Sequence, residues 1–449
     1  MKKTLKICAL TALAGGAVVT VAPAAHAASE DCTALTHPVY IAGSSASQAY
    51  LQQIAELVPN ISILYASSAS CVGIGDMVTA GQTETAPFSH ITALGVLNTC
   101  TGAAGAPYQA DINVDIGVSD VYPVTCITPV VPATLPAGYK MYDGAIQAME
   151  ISVPFASTES SISADAAYVV FGYAGQSYMG NQYTISPWTV STDIWTRGDT
   201  SGTQLMIASA IGLSGAKWLT PLGADAGAAQ IASGSGALLT DIETSAGLAT
   251  GADPVIGILT NSKVDPNKKV GGVKPLAFQA TGQECAYYPD SQLSTFDKIN
   301  VREGRYQIWG YEHFVTNVTG GNPVVSPNAS KNPVTSVSAD VQTIINVLTH
   351  AGLPAATGAL PTELQVVEAE TAAYFIPQCA MQVSRTTEVG PEASFQPTQG
   401  CGCLYESLPT GGAGATSAYC QTCTKATQAT DCTVAPYKTC NDFGYCEVQ

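Results

Sequence analysis

The chain has 449 residues, 46% of them hydrophobic and only 11% charged, with a formal charge of -17. That length supplies apolar mass for two or three folding units, or for one two-lobed protein. The acidic balance argues against nucleic acid and anionic membrane as partners. It leaves a small anion open as a ligand, because distant charge is screened over roughly 10 Å.

The first 27 residues read as a secretory signal. Lys2, Lys3 and Lys6 precede an apolar run from Ile7 to about Pro23, and Ala25-His26-Ala27 has the small–x–small form of a cleavage site. The mature chain is therefore expected to start at Ala28. Losing the three lysines takes the charge from -17 to -20. Leu5 stands three residues before Cys8, but Lys6 and Ile7 are not the small residues of a lipoprotein box, so no lipid anchor is expected. No later apolar run reaches the length of a membrane span, which implies a soluble, exported product without membrane insertion. Fourteen cysteines less Cys8 leave an odd thirteen. Export makes disulfides the default and leaves one thiol over.

Val39-Tyr40-Ile41 reads as a short buried strand, and Gly43-Ser44-Ser45-Ala46-Ser47 as a small-residue turn offering hydroxyls and N–H groups. A helix follows with Tyr50, Leu51, Ile54 and Leu57 on one face. Residues 61–65 form the next strand. Ser67 to Cys71 reads as a hydroxyl-rich loop running on into Val72-Gly73-Ile74-Gly75-Asp76-Met77. Gly73-Ile74-Gly75 is no dinucleotide fingerprint, since Val78 stands where the third glycine belongs. Residues 111–120 alternate strictly, which puts Ile112, Val114, Ile116 and Val118 on one face of a strand that ends at Asp120. That carboxylate either faces a cleft or initiates the Val121-Tyr122-Pro123 turn. The acidic spacing is not a calcium loop, because Ile116 and Tyr122 occupy the glycine and glutamate positions. Gly144 to Pro154 could be a crossing strand, and Ser163 to Gly172 looks like a capped helix ending at glycine.

A β-like run (Trp188, Val190, Ile194, Trp195) leads into Arg197-Gly198-Asp199-Thr200-Ser201-Gly202-Thr203, and a helix-like run continues through Leu205, Met206, Ala208, Ile211 and Leu213. A helix that starts at Ser201-Gly202-Thr203 points free N–H groups into the turn, and its dipole favours an anion there. Arg197 adds a planar donor fork suited to an oxyanion, and Asp199 could hold that fork in place. The competing reading is a plain capped turn with one surface ion pair. Helical patterns at 223–250 and 337–350 and strands at 254–259, 273–278 and 306–315 complete the series, the last as a second crossing. Strands alternating with helices indicate an α/β fold.

Residues 393–449 hold seven cysteines, and their only aliphatics besides alanine are Leu404, Leu408, Val434 and Val448. Such a segment can hardly build a core and needs covalent staples. Cys420-x-x-Cys423 could be half a zinc site, but the exported context favours disulfides. No catalytic constellation emerges. His37, His90, His313 and His350 are scattered, and no serine sits in a Gly-x-Ser-x-Gly elbow. Lone histidines of this kind are ordinary core or surface residues.

The small-residue loop at 43–47, the loop at 67–73, Val118-Ser119-Asp120 and the Arg-x-Asp-x-Ser-Gly-Thr element occur in an order and spacing that resemble the phosphate-binding component of phosphate ABC importers. That family consists of type II periplasmic binding proteins. The similarity spans residues 38 to about 385. It implies two α/β lobes joined by crossing strands: 38–150 with 306–392 as one lobe, 151–305 as the other, and 393–449 as a disulfide-stapled tail. It also implies that Arg197 makes the charged contact with inorganic phosphate or a similar tetrahedral oxyanion. Ser201 and Thr203 would give hydroxyl or N–H bonds, Gly202 an N–H, Asp199 would brace Arg197, and Asp120 would accept the ligand's proton. Ser70 matches a loop serine that binds ligand. In the first loop the family has threonine then an aromatic, where Ser47 and Gln48 stand here; Ser47 keeps a hydroxyl and Gln48 its backbone N–H. The function expected is an exported solute-binding protein without enzymatic activity or cofactor, with an ABC permease as candidate partner. A secreted phosphatase-like enzyme and a surface or matrix scaffold are the alternatives.

Overall fold

The computed structural model describes residues 28–447 except 80, 94–95, 128–130, 133, 176–183, 216–217, 219–229, 246–250, 355–357, 359 and 409–419. The signal-like segment lies outside these, as does part of the helical pattern at 223–250.

The centre is β2 (Pro38–Gly43), buried at every residue. It runs parallel to β3 (Ser62–Ser67) on one side and to β6 (Ile116–Ser119) on the other. Strands buried on both faces need continuous apolar runs, and Val39-Tyr40-Ile41 supplies one. Beyond β3 the sheet continues through β4 (Ser89–Ala93), β5 (Val96–Thr101) and β1 (Ser29–Asp31). Beyond β6 lie β14 (Trp309–Thr319) and β7 (Tyr139–Pro154), both antiparallel to their neighbours. β7 is the connecting element. Its first part pairs with β14, and its second part pairs with β11 (Gly257–Thr260) and β12 (Val273–Pro275). β15 (Asn322–Val324) closes a hairpin on β14, while β8 (Ser161–Ser163) with β13 (Ala277–Gln279), and β9 (Thr196–Arg197) with β10 (Ile231–Ala232), form separate pairs.

Helices cover both faces, as expected of an α/β chain. On one face α1 (Gln48–Leu57), α8 (Ser338–Leu348) and α9 (Glu363–Ala372) pack Tyr50, Leu51, Ile54, Ile344 and Val366 around Phe314. On the other, α2 (Ser70–Val78), α3 (Ala164–Tyr173), α4 (Gly202–Ile211) and α5 (Ser235–Ser245) share a core with Ile151, Ile258 and Trp309. The short helices α6 (Asn261–Val264) and α7 (Ile299–Arg302) lie further along the chain. α4 is buried nearly all round, so an amphipathic stripe is not its signature.

Three expectations change. The loop expected at Ser67–Cys71 gives way to helix already at Ser70, because Gly73 lets α2 lie directly on β2: a Cβ there would meet the Ala42 carbonyl oxygen at 2.3 Å. The alternating run at 111–118 is not one strand. Ile112 and Val114 enter one core and Ile116 and Val118 the other, with the chain turning at Asp115, whose carboxylate takes the Tyr40 and Ser326 N–H groups. The run at 188–195 forms only a short turn at Ser191–Asp193 and an isolated bridge from Ile194 to Ile256.

Twelve cysteines pair as Cys32–Cys100, Cys71–Cys126, Cys379–Cys401, Cys403–Cys420, Cys423–Cys440 and Cys432–Cys446. The thiol left over is that of Cys285, which is exposed. Cys420 and Cys423 belong to different bridges, so the zinc reading falls. Cys379–Cys401 fastens the tail to the body. There the short helix α10 (Gly402–Ser407) buries Tyr405 and brings Glu406 to 2.7 Å from Arg302. No helix among the described residues is long and apolar enough to cross a membrane.

Candidate anion-binding cavity

Three helices begin beside one another although their first residues are far apart in sequence. α1 follows the 44–47 turn, α2 starts at Ser70 and α4 at Gly202. Between these starts lies a closed, tightly packed polar cavity lined by Ser44, Ser45, Ala69, Ser70, Asp120, Arg197, Ser201 and Thr203. Each first turn carries N–H groups that its own helix cannot satisfy, with the positive end of the dipole behind them. The starts are tied together. Gly202 N donates to Ser70 Oγ at 3.2 Å, and Cys71 N donates to the Thr200 carbonyl at 3.1 Å. The approach is close enough to require glycine at 202: a Cβ there would stand 2.5 Å from Ser70 Oγ and 2.9 Å from Asp120 Oδ2.

Arg197 reaches the cavity from β9 and is 5% exposed. Its Nη1 donates to Ser235 Oγ at 2.9 Å, and its backbone N to Gln204 Oε1 at 2.9 Å. Its Nε is buried without a partner among the described residues. Burial lowers its pKa while the negative charge of Asp120 supports the cation. Ser45 meets Ser235 through both its hydroxyl and the Ser235 N–H, at 3.1 and 3.2 Å, so the turn before α1 and the start of α5 hold the guanidinium jointly. A buried guanidinium with an idle donor is costly unless an anion completes it.

Asp120 directly follows β6, lines the same cavity and is 2% exposed. Its backbone N donates to Ser70 Oγ at 3.4 Å. Burial raises its pKa, while the Ser44 hydroxyl, the neighbouring Glu312 carboxyl group, the charge of Arg197 and the Ser70 hydroxyl oppose that rise.

No family model matches the chain, and no curated protein matches it. Solved structures do. A phosphate-binding protein from Stenotrophomonas maltophilia is 14% identical, with 79% of this chain and 92% of that one covered and a TM-score of 0.40. A DING protein is 14% identical over 76% and 90%, with a TM-score of 0.42. An ABC-type phosphate transport receptor from Vibrio cholerae is 14% identical over 63% and 88%, with a TM-score of 0.36. At these scores the likeness decides nothing about ligand, and the cavity has to be judged by its own side chains.

Of the nine residues singled out from sequence, Ser70, Asp120, Arg197, Ser201 and Thr203 line the cavity, and Gly202 sits among them. Asp199 does not brace Arg197. It is exposed, makes no ion pair among the described residues, and Ser235 does the holding instead. Ser47 is fully buried but its hydroxyl is committed to Glu312 Oε2, and Gln48 is half-buried on α1, away from the lining. Ser44 and Ser45 take that corner. Sequence reasoning missed Ser235 and Glu312. The signal for Glu312 was a carboxylate inside a mostly apolar and aromatic β-run. The four histidines are also less lone than expected, because each meets a carboxylate: His37 with Asp340, His90 with Glu30, His313 with Asp143, and His350 with Glu363 and Glu370.

Proposed function

We propose that the cavity binds one tetrahedral oxyanion that carries a proton, phosphate above all. The observation that carries this reading is a buried guanidinium with an unused Nε beside a buried carboxyl group, on a cavity ringed by helix starts and serine hydroxyls. Donors alone would take sulfate and phosphate alike. A carboxylate in the same wall repels fully ionised sulfate and accepts the proton of hydrogen phosphate, so the selectivity comes from an acceptor that a wrong ligand leaves unpaired. Micromolar affinity needs about 8 kcal/mol. Several charge-assisted bonds of roughly 1.5–3 kcal/mol each can supply it after ordering costs.

In this reading 38–150 with 306–392 and 151–305 act as two lobes that close over the ligand. The chain works outside the cytoplasm after loss of its first 27 residues, as a solute-binding protein delivering to an ABC permease, and it performs no chemistry on its cargo. Calorimetry on refolded, ligand-free protein tests the reading. Phosphate should bind at micromolar concentration or tighter and sulfate about a hundredfold more weakly. Arg197→Ala should abolish the phosphate heat. Equal affinity for the two anions would remove the selectivity claim, and no heat with either would remove the function.

A further inference from the structure

Glu312 has no task in the reading above. It is wholly buried in β14, and no cation is among the groups acting on it. It stands where the register of β14 against β7 breaks between Tyr311 and His313. Such a break re-aims a strand side chain. Glu312 Oε2 accepts the Ser47 hydroxyl, and the carboxyl group lies within hydrogen-bonding reach of Asp120. Asp120 Oδ1 and Glu312 Oε1 are both buried with no donor among the described residues. Two carboxylate oxygens cannot bond to each other, but one proton between the groups gives each a partner.

We propose, on the reading of the cavity as an anion site, that Asp120 and Glu312 share a single proton held on Glu312, so that Asp120 stays ionised and uses Oδ2, at the first turn of α4, to read the proton of the ligand. Glu312 is then a positioning residue, and Ser47 serves it rather than the ligand. Burial, then the neighbouring Asp120 carboxylate, drive Glu312 well above the ordinary carboxyl range. Asp120 is raised by burial too, but the Ser44 hydroxyl and the charge of Arg197, which does not act on Glu312, hold it lower. The other titratable groups facing the pair are Tyr65 from β3 and Tyr50 from α1. Burial raises both phenols, so they stay neutral and the one negative charge of the pair faces Arg197. A pair of this kind titrates as a unit.

The full chain, exported and oxidised, provides the test, with inorganic phosphate and sulfate as probes in wild type, Glu312→Gln and Glu312→Leu. The glutamine amide can donate to Asp120 and accept from Ser47, as a neutral Glu312 does. At pH 7 its phosphate affinity should stay within about threefold of wild type, with sulfate still rejected. Glu312→Leu removes the donor, so Asp120 keeps the proton itself and phosphate-over-sulfate discrimination should fall about tenfold or more. At alkaline pH wild type should lose phosphate affinity as Glu312 gives up its proton, and Glu312→Gln should not. If Glu312→Gln instead tightens both anions about tenfold or more, Glu312 was a charge and the proposal is overturned. Infrared spectra of ligand-free protein decide the same point without any ligand. In the wild-type minus Glu312→Gln difference spectrum at neutral pH, a carbonyl band of an un-ionised carboxyl should be present, over and above the bands that buried Asp76 and Glu150 give in both proteins. Its absence from that difference overturns the proton sharing even if phosphate binds. Its presence with a wild type that binds neither anion keeps the proton on Glu312 and discards the function.

Discussion

At the scale of single residues, the cavity depends on groups with no freedom to change size. Gly202→Ala would push a methyl into Ser70 Oγ and the Asp120 side chain. We expect a loss of about 1–3 kcal/mol in denaturant unfolding and a larger loss of anion affinity, since the clash is in the binding wall itself. Ser235→Ala should leave the fold intact and weaken phosphate about tenfold by releasing one side of the Arg197 guanidinium, which titration calorimetry would read. Much of this was legible beforehand. Arg197, Ser201, Gly202 and Thr203 are contiguous, so the strand–turn–helix geometry that joins them is local and the motif carries it. Asp199 was misjudged because a sequence shows the nearest carboxylate, not the one the fold leaves in solvent. Ser235 and Glu312 were missed because they reach the cavity only through tertiary contacts, with no spacing to Arg197 that a motif could record.

At the scale of elements, α2 is the instructive case. Its glycines lower helix propensity, and its first residues, Ser70 and Cys71, read as loop. Tertiary packing overrides that preference, because Gly73 allows the backbone of α2 to rest on β2. The Cys71–Cys126 bridge then ties α2 to the chain just beyond Asp120 across 55 residues. Replacing both cysteines by alanine should cost about 4 kcal/mol on unfolding, by loop length, and should loosen Ser70 against Asp120 enough to lower anion affinity. The contact of α8 and α9 carries a pH signature. Burial works against protonation of His350, but the charge of Glu370 and bonds to Glu363 and Glu370 prevail and raise its pKa to about 10. A base raised by its partners stabilises the fold fully below the unfolded value near 6.5, and that stabilisation disappears as pH climbs through about 10. The stability gap between wild type and His350→Gln in urea should therefore be constant below pH 6.5 and close between that pH and 10.

At the scale of the whole molecule, the tail is part of the body rather than an appendage. Its composition predicted covalent staples, but not that α10 would bury Glu406 against Arg302 or place Tyr405 in the main core. Calorimetry should show one cooperative transition, and truncation after residue 392 should lower the melting temperature of the body. Truncation strands Arg302 without its carboxylate, a change worth about 3–5 kcal/mol for a buried pair, and leaves Cys379 unpaired. Two separate transitions would show the tail to be independent.

The register break at Glu312 reaches beyond electrostatics. β7 and β14 link the two ends of the large sheet, and they are zipped together on both sides of that break. Every lining residue of the cavity except Ser45 is buried, so an anion bound there as proposed would have to enter by the walls parting. On the proposed reading, parting them would twist the paired ribbon where its rungs are already missing, so the pivot and the carboxyl group beside Asp120 would be one and the same place in the chain.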